Sequence, residues 1–158
     1  MKVLFVQPAV GHKSGRATYP QTWIMEPLWA ATIAALLPKD CERALQDDRL
    51  REVDYDASAD LVLLSVECYT AKRAYEIADC FRARGAKVAL GGFHVTLNPD
   101  EAALHADAVL VGSAETVWNE FWSDFVRGEL KRQYEDKGPP QFGPLPDRSV
   151  FGHHRYGL

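Results

Sequence analysis

Four stretches of this chain hold the residue types that bind or react. The pair Gly91-Gly92 offers bare backbone, which a large flat ligand can approach closely. The same pair also makes an ordinary tight turn. His94 follows two residues later and is suited to hydrogen bonding or metal ligation; alone in a loop, an imidazole more commonly does the first. Ser65, Tyr69 and Thr70 form a hydroxyl-bearing group, with Thr70 equally placed to cap a helix and Tyr69 to pack. Gly112 precedes Glu115, a carboxylate that a helix N-terminus stabilises with or without a ligand. Further back, Pro8 opens a long segment containing Gly11-His12-Lys13-Ser14-Gly15, whose imidazole could coordinate cobalt or another metal.

Several chemistries are missing. No G-x-G-x-x-G follows the first apolar run, and no G-x-x-x-x-G-K-[ST] occurs anywhere. Ser65 ends its apolar run with no carboxylate at that spot, against a phospho-accepting receiver. No serine sits in a nucleophile elbow. Cys41, Cys68 and Cys80 are the only cysteines and lack C-x-x-C spacing, which argues against a zinc site or a disulfide framework.

These groups must be held by regular elements. Lys2 to Gln7 reads as a buried strand, Pro27 to Leu37 as a largely buried helix, and Cys41 to Gln46 as a short strand. The loop from about Pro8 to Glu26 far exceeds the usual 2–6 or so residues of such connections, as a functional loop does. Asp47 to Asp60 crosses over with at most one helical turn. Leu61 to Val66 is the clearest strand, continuous and apolar as a central parallel strand should be. Ala74, Ile77, Ala78 and Phe81 repeat at helical spacing within a helix from Ala71 to Arg84, capped by Thr70 and ended by Gly85. Lys87 to Leu90 is the next strand. Asn98-Pro99-Asp100-Glu101 starts a short helix with a capping box. Asp107 to Val111 is the fifth strand, and Ser113 caps a helix that Gly128 closes. Leu130 to Tyr134 is a candidate edge strand.

This alternation predicts an α/β fold, a flavodoxin-like (Rossmann-like) doubly wound parallel sheet of five strands. Such sheets bind ligands outside the carboxyl ends of their strands, and the reactive groups above all fall at those ends. Residues 1–136 form the expected domain, and the Pro- and Gly-rich residues 137–158 a tail or linker. With 158 residues there is room for one core and little more. A net charge of −4 without a dense Lys/Arg cluster disfavours nucleic acid as partner. The longest apolar stretch, Leu28 to Leu37, is too short to span a membrane, so a cytoplasmic location is expected.

Five blocks, in this order, carry a family resemblance: residues 59–65, Tyr69 to Asp79, Arg84 to Thr96, Asn98 to Ala102, and His105 to Glu115. Together they resemble the N-terminal cobalamin (B12)-binding domain of B12-dependent radical SAM proteins. The likeness extends over roughly residues 1–150. It implies a corrinoid on the C-terminal edge of the sheet, with Pro8, His12, Ser65, Tyr69, Thr70, Gly91, Gly92, His94, Gly112 and Glu115 around it. The family's D-x-H-x-x-G signature is matched at His12 and Gly15, with Val10 in place of its Asp. The C-x-x-x-C-x-x-C motif is absent. A [4Fe–4S] cluster and S-adenosylmethionine would therefore belong to a radical SAM barrel outside this chain, in cis or in trans. The implied role is a binding module without its own catalytic centre, serving a methyltransferase or cyclase. Two other readings stay open: a corrinoid-free interaction domain of the same fold, and a flavin-binding protein. The second is disfavoured because the first loop lacks a Ser/Thr-rich phosphate cradle.

Overall fold

The computed structural model describes residues 1–10, 24–138, 143–152 and 156. Six strands form one sheet: β1 (Lys2–Gln7), β2 (Glu42–Asp47), β3 (Leu61–Ser65), β4 (Lys87–Gly91), β5 (Ala108–Val111) and β6 (Gln133–Glu135). Their order is β2-β1-β3-β4-β5-β6, and every neighbouring pair is parallel. This is the flavodoxin-like 2-1-3-4-5 order with one strand added. The five-strand count expected from the sequence is therefore corrected to six. In β6 only Tyr134 is buried, between exposed Gln133 and Glu135, so no apolar run announces the strand.

Between strands lie α1 (Leu28–Ala34), α2 (Ala71–Ala83), α3 (Phe93–Leu97), α4 (Pro99–Ala102) and α5 (Ala114–Arg127). Helix α1 is shorter than expected, its last residues becoming turns before Pro38. Helix α3 had no sequence signal of its own. The expected side-chain caps do not form at Thr70, Asn98 or Ser113. Two of them find a nearer partner instead. Thr70 Oγ1 donates to Glu67 O at 3.1 Å and accepts from Glu67 N at 3.0 Å. Ser113 Oγ donates to Glu115 Oε2 at 3.0 Å.

Alternation along the strands divides the core in two. Val3, Phe5, Leu61, Leu63, Ala89 and Leu110 face α1 and α5. Leu4, Val6, Val62, Leu64, Val88 and Leu90 face α2 and the short helices. Thus α1 and α5 share a face, although α1 crosses from β1 towards one edge and α5 from β5 towards the other. The β5–α5–β6 connection therefore has the opposite hand to β1–α1–β2 and β3–α2–β4. Right-handed crossovers make up about 98% of such connections, so the last one is the departure. Its stabilisation is visible: Trp118 and Phe121 are buried, Phe121 meets Tyr134 edge-on at 5.4 Å, and Tyr134 Oη donates to buried Asp124 at 3.0 Å.

The described part of the tail also packs on this face. Asp147 N donates to Ala31 O at 2.8 Å, and Asp147 pairs with Arg43 at 2.7 Å. Val150 and Phe151, in a 3-10 turn (Arg148–Phe151), are buried against the α1 side of the core.

One glycine governs the rim of the sheet. Gly92 has φ +101° and ψ −179°, a region essentially reserved for glycine, and a Cβ there would lie 2.7 Å from Val66 N. Gly85 also has positive φ (+89°) but nothing within 4 Å of a Cβ. Gly92→Ala should therefore cost clearly more stability than Gly85→Ala, about 3 kcal/mol or more against about 1. Urea denaturation of the two variants measures the difference.

Candidate functional site

The face shared by α1 and α5 has a gap. The two helices serve opposite ends of the sheet, and neither fully covers the centre at β3 and β4. A cavity of about 190 Å³ lies there, walled by Trp29 and Ile33 of α1, Leu63, Ala89 and Leu110 of the sheet, and Trp118 of α5. Its polar edge is made by Ser65, Gly91, Gly92, Gly112, Ser113 and Glu115, at the carboxyl ends of β3, β4 and β5.

Five of the residues expected from the sequence thus meet at one place: Ser65, Gly91, Gly92, Gly112 and Glu115. The two glycines of the pair differ in cause. Gly92 is required by its backbone and its contact with Val66, with or without a ligand. A Cβ on Gly91 would make only ordinary contact with Leu110, at 3.7 Å, so the fold does not demand glycine there.

The other expected residues lie elsewhere. Pro8 is buried at the end of β1, and Tyr69 is exposed on the rim. The Thr70 hydroxyl is consumed within its own turn. His94 turns to the opposite face, its Nε2 lying 3.2 Å from Glu101 Oε1 and its ring tilted against Tyr75. That contact also replaces the expected capping role of Glu101, and it holds the Glu101 carboxyl below its usual range. His12 lies outside the described residues. Among the described residues no three His, Cys, Asp or Glu side chains gather as a metal site. Cys41 is buried, which pushes its thiol up, Cys80 is half-buried and Cys68 exposed, and all three are free.

Trp29, Trp118 and Thr96 join the site without having been expected from the sequence. The signal for Trp118 was its place three residues after Glu115, one helical step along the same face. Trp29 is oriented by its Nε1 donating to Gln7 Oε1 at 2.7 Å. Thr96 Oγ1 donates to Gly92 O at 3.1 Å and accepts from Gly112 N at 3.0 Å, so it ties the rims of β4 and β5 together.

The two ends of the long first loop are anchored by adjacent buried carboxylates at the end of β2. Asp48 accepts from Ala9 N at 3.3 Å and forms a two-pronged pair with Arg73 of α2 at 2.8 and 3.0 Å. This hydrogen bonding raises the Arg73 guanidinium above its usual range. Asp47 binds Arg49, which in turn donates to Met25 O at 3.0 Å. Tyr156 Oη donates to the same Asp47 at 3.0 Å, and burial pushes this phenol up.

No family model matches the chain. A curated relative, the bacteriochlorophyllide d C-8(2)-methyltransferase of Chlorobaculum tepidum, is 39% identical over 109 residues, covering 68% of this chain and 24% of that protein. The bacteriochlorophyllide d C-12(1)-methyltransferase of the same organism is 34% identical over 140 residues, covering 85% of this chain and 29% of its own length. The chain therefore spans between a quarter and a third of the curated relatives it matches. A solved N-terminal domain of a hypothetical protein from Thermotoga maritima matches with TM-score 0.46 and 20% identity, over 72% of this chain and 94% of that one. No helix among the described residues is long and apolar enough to cross a membrane.

Asp48→Asn would leave the buried Arg73 cation without its charge partner. It should cost about 3–5 kcal/mol of stability. Amide hydrogen exchange should also quicken at Ala9, where the first loop loses its anchor.

Proposed function

We propose that this chain is the cobalamin-binding module of a B12-dependent radical SAM methyltransferase, whose barrel lies outside it, in cis or in trans. The cavity carries this reading. A cavity of roughly 150 Å³ already holds benzene, and this one is larger, two-tryptophan-walled and open at the sheet edge. A corrin macrocycle is too large to enter it, but the aromatic base tethered to that macrocycle is not. The residues present fit such a group: aromatic and aliphatic walls, hydroxyls at the mouth, and a buried indole N–H on Trp118 that has no acceptor within the protein.

In this reading Trp29 and Trp118 flank the base. Ser65 and Ser113 offer hydroxyls to the connecting chain, and Glu115 accepts from ribose hydroxyls. The bare edge at Gly91 admits the tether. Exposed Tyr69 and Phe93, on the rim at the ends of β3 and β4, supply an apolar seat for the macrocycle and keep water from its lower side. Thr70, His94 and Thr96 shape the rim from within. The corrinoid, when bound, supplies a methyl carrier.

The names of both relatives support methyl transfer, and they supply the substrate class proposed for the whole protein, a bacteriochlorophyllide-like tetrapyrrole. The absence of C-x-x-x-C-x-x-C assigns the [4Fe–4S] cluster and S-adenosylmethionine to the barrel. Residues 1–136 are the module in this reading, and a cytoplasmic location goes with it.

Purified protein mixed with hydroxocobalamin and desalted should retain corrinoid absorbance. Gly91→Leu tests the cavity, because a side chain fits there without backbone strain and projects into the space the base needs. It should fold normally and retain at least about tenfold less corrinoid, the effect of about 1.4 kcal/mol. A wild-type chain that retains none is instead the corrinoid-free interaction domain.

A further inference from the structure

Two tryptophans wall the cavity, and their indole N–H groups differ. Trp29 Nε1 is satisfied by Gln7 Oε1 at 2.7 Å. Trp118 Nε1 is buried and has no acceptor. A buried donor left unpaired is costly, and such groups are rare in folded proteins. Nor can this one turn out to water. Trp118 is 1% exposed, its ring stacked on Trp122 at 6.0 Å and tilted against Phe121 at 5.3 Å. The nearby carboxylate of Glu115, on the same helix face, is engaged by Ser113 Oγ instead. The acceptor must therefore come from whatever fills the cavity.

We propose that Trp118 is a specificity residue that donates its N–H to an unprotonated ring nitrogen of the corrinoid's base. The chain then selects complete cobamides with a nitrogen-bearing base of the benzimidazole class. It disfavours those with a phenolic base, and those with none. This rests on the corrinoid reading above. A benzimidazole seated in the cavity is away from the metal, so its ring nitrogen keeps an in-plane lone pair. That lone pair needs a donor once it leaves water. A phenolic base, attached through its oxygen, has no such lone pair. It fills the same apolar space and leaves the indole unpaired.

The test is an equilibrium titration of wild type and Trp118→Phe with three ligands: cobalamin, p-cresolyl cobamide and cobinamide. Wild type should bind cobalamin about tenfold more tightly than p-cresolyl cobamide, and cobinamide more weakly still. Trp118→Phe keeps the aromatic wall and removes the donor. It should weaken cobalamin about tenfold and leave p-cresolyl cobamide unchanged. In wild type, the Trp118 indole N–H resonance should move downfield with cobalamin but not with p-cresolyl cobamide. That readout does not depend on how the variant folds. Equal wild-type affinity for the two cobamides, equal weakening of both by Trp118→Phe, or an unmoved indole resonance overturns the proposal while leaving corrinoid binding standing. A wild-type chain that binds none of the three overturns the corrinoid reading itself.

Discussion

The separation of α1 from α5 across one face of the sheet is the constraint from which the site follows. Helix α1 belongs to the β1–β2 end and α5 to the β5–β6 end, and the central strands between them are left open. Had α5 made the usual right-handed crossover, it would lie with α2 on the other face. The α1 face would then be bare at the far end, and no two-walled cavity would exist. The aromatic run of α5 holds the unusual arrangement. Trp118 and Phe121 bury against β5 and β6, while the Asp124–Tyr134 contact gives the buried carboxylate a donor. A sixth strand and a cavity thus come from the same packing decision.

A second set of interactions organises the opposite end of the site. Asp47 and Asp48 are neighbours at the end of β2, and both are almost fully buried. They reach different elements. Asp48 joins α2 to the start of the first loop, and Asp47, through Arg49, joins the loop's end and Tyr156. Buried charges are tolerated only when they are paired and hydrogen-bonded, and here each pairing fixes a segment that has no regular structure of its own. Arg148 adds a pair with Glu26 at 3.2 Å, so the described tail residues and the loop end share one network.

The parallel architecture was legible because buried strands are continuous apolar runs and α2 repeats its apolar residues at helical spacing. The clustering of small and polar residues at strand ends was legible for the same reason: once the strands are placed, their carboxyl ends can be named. Ser65, Gly91, Gly92, Gly112 and Glu115 were within reach on that basis, and they do line the cavity. Strand placement does not say which way a side chain at a strand end turns. His94 is one α3 position away from the edge, yet its ring lies against Tyr75 and Glu101 on the far face. Local hydrogen bonds also displaced the expected caps, since Thr70 and Ser113 each have a partner two or three residues away that competes with the helix N–H groups.

Local pattern by itself determined the strands, the main helices and the edge at which a ligand would meet this chain, because those depend on periodicity and on turn chemistry within a few residues. Tertiary structure alone decided that Trp29 and Trp118, far apart along the chain, face one space, and that only one of their indole donors has a partner. The reason is physical. Hydrogen-bond satisfaction and cavity walls are properties of distances between distant segments, and those distances are set by which face each helix takes on the sheet.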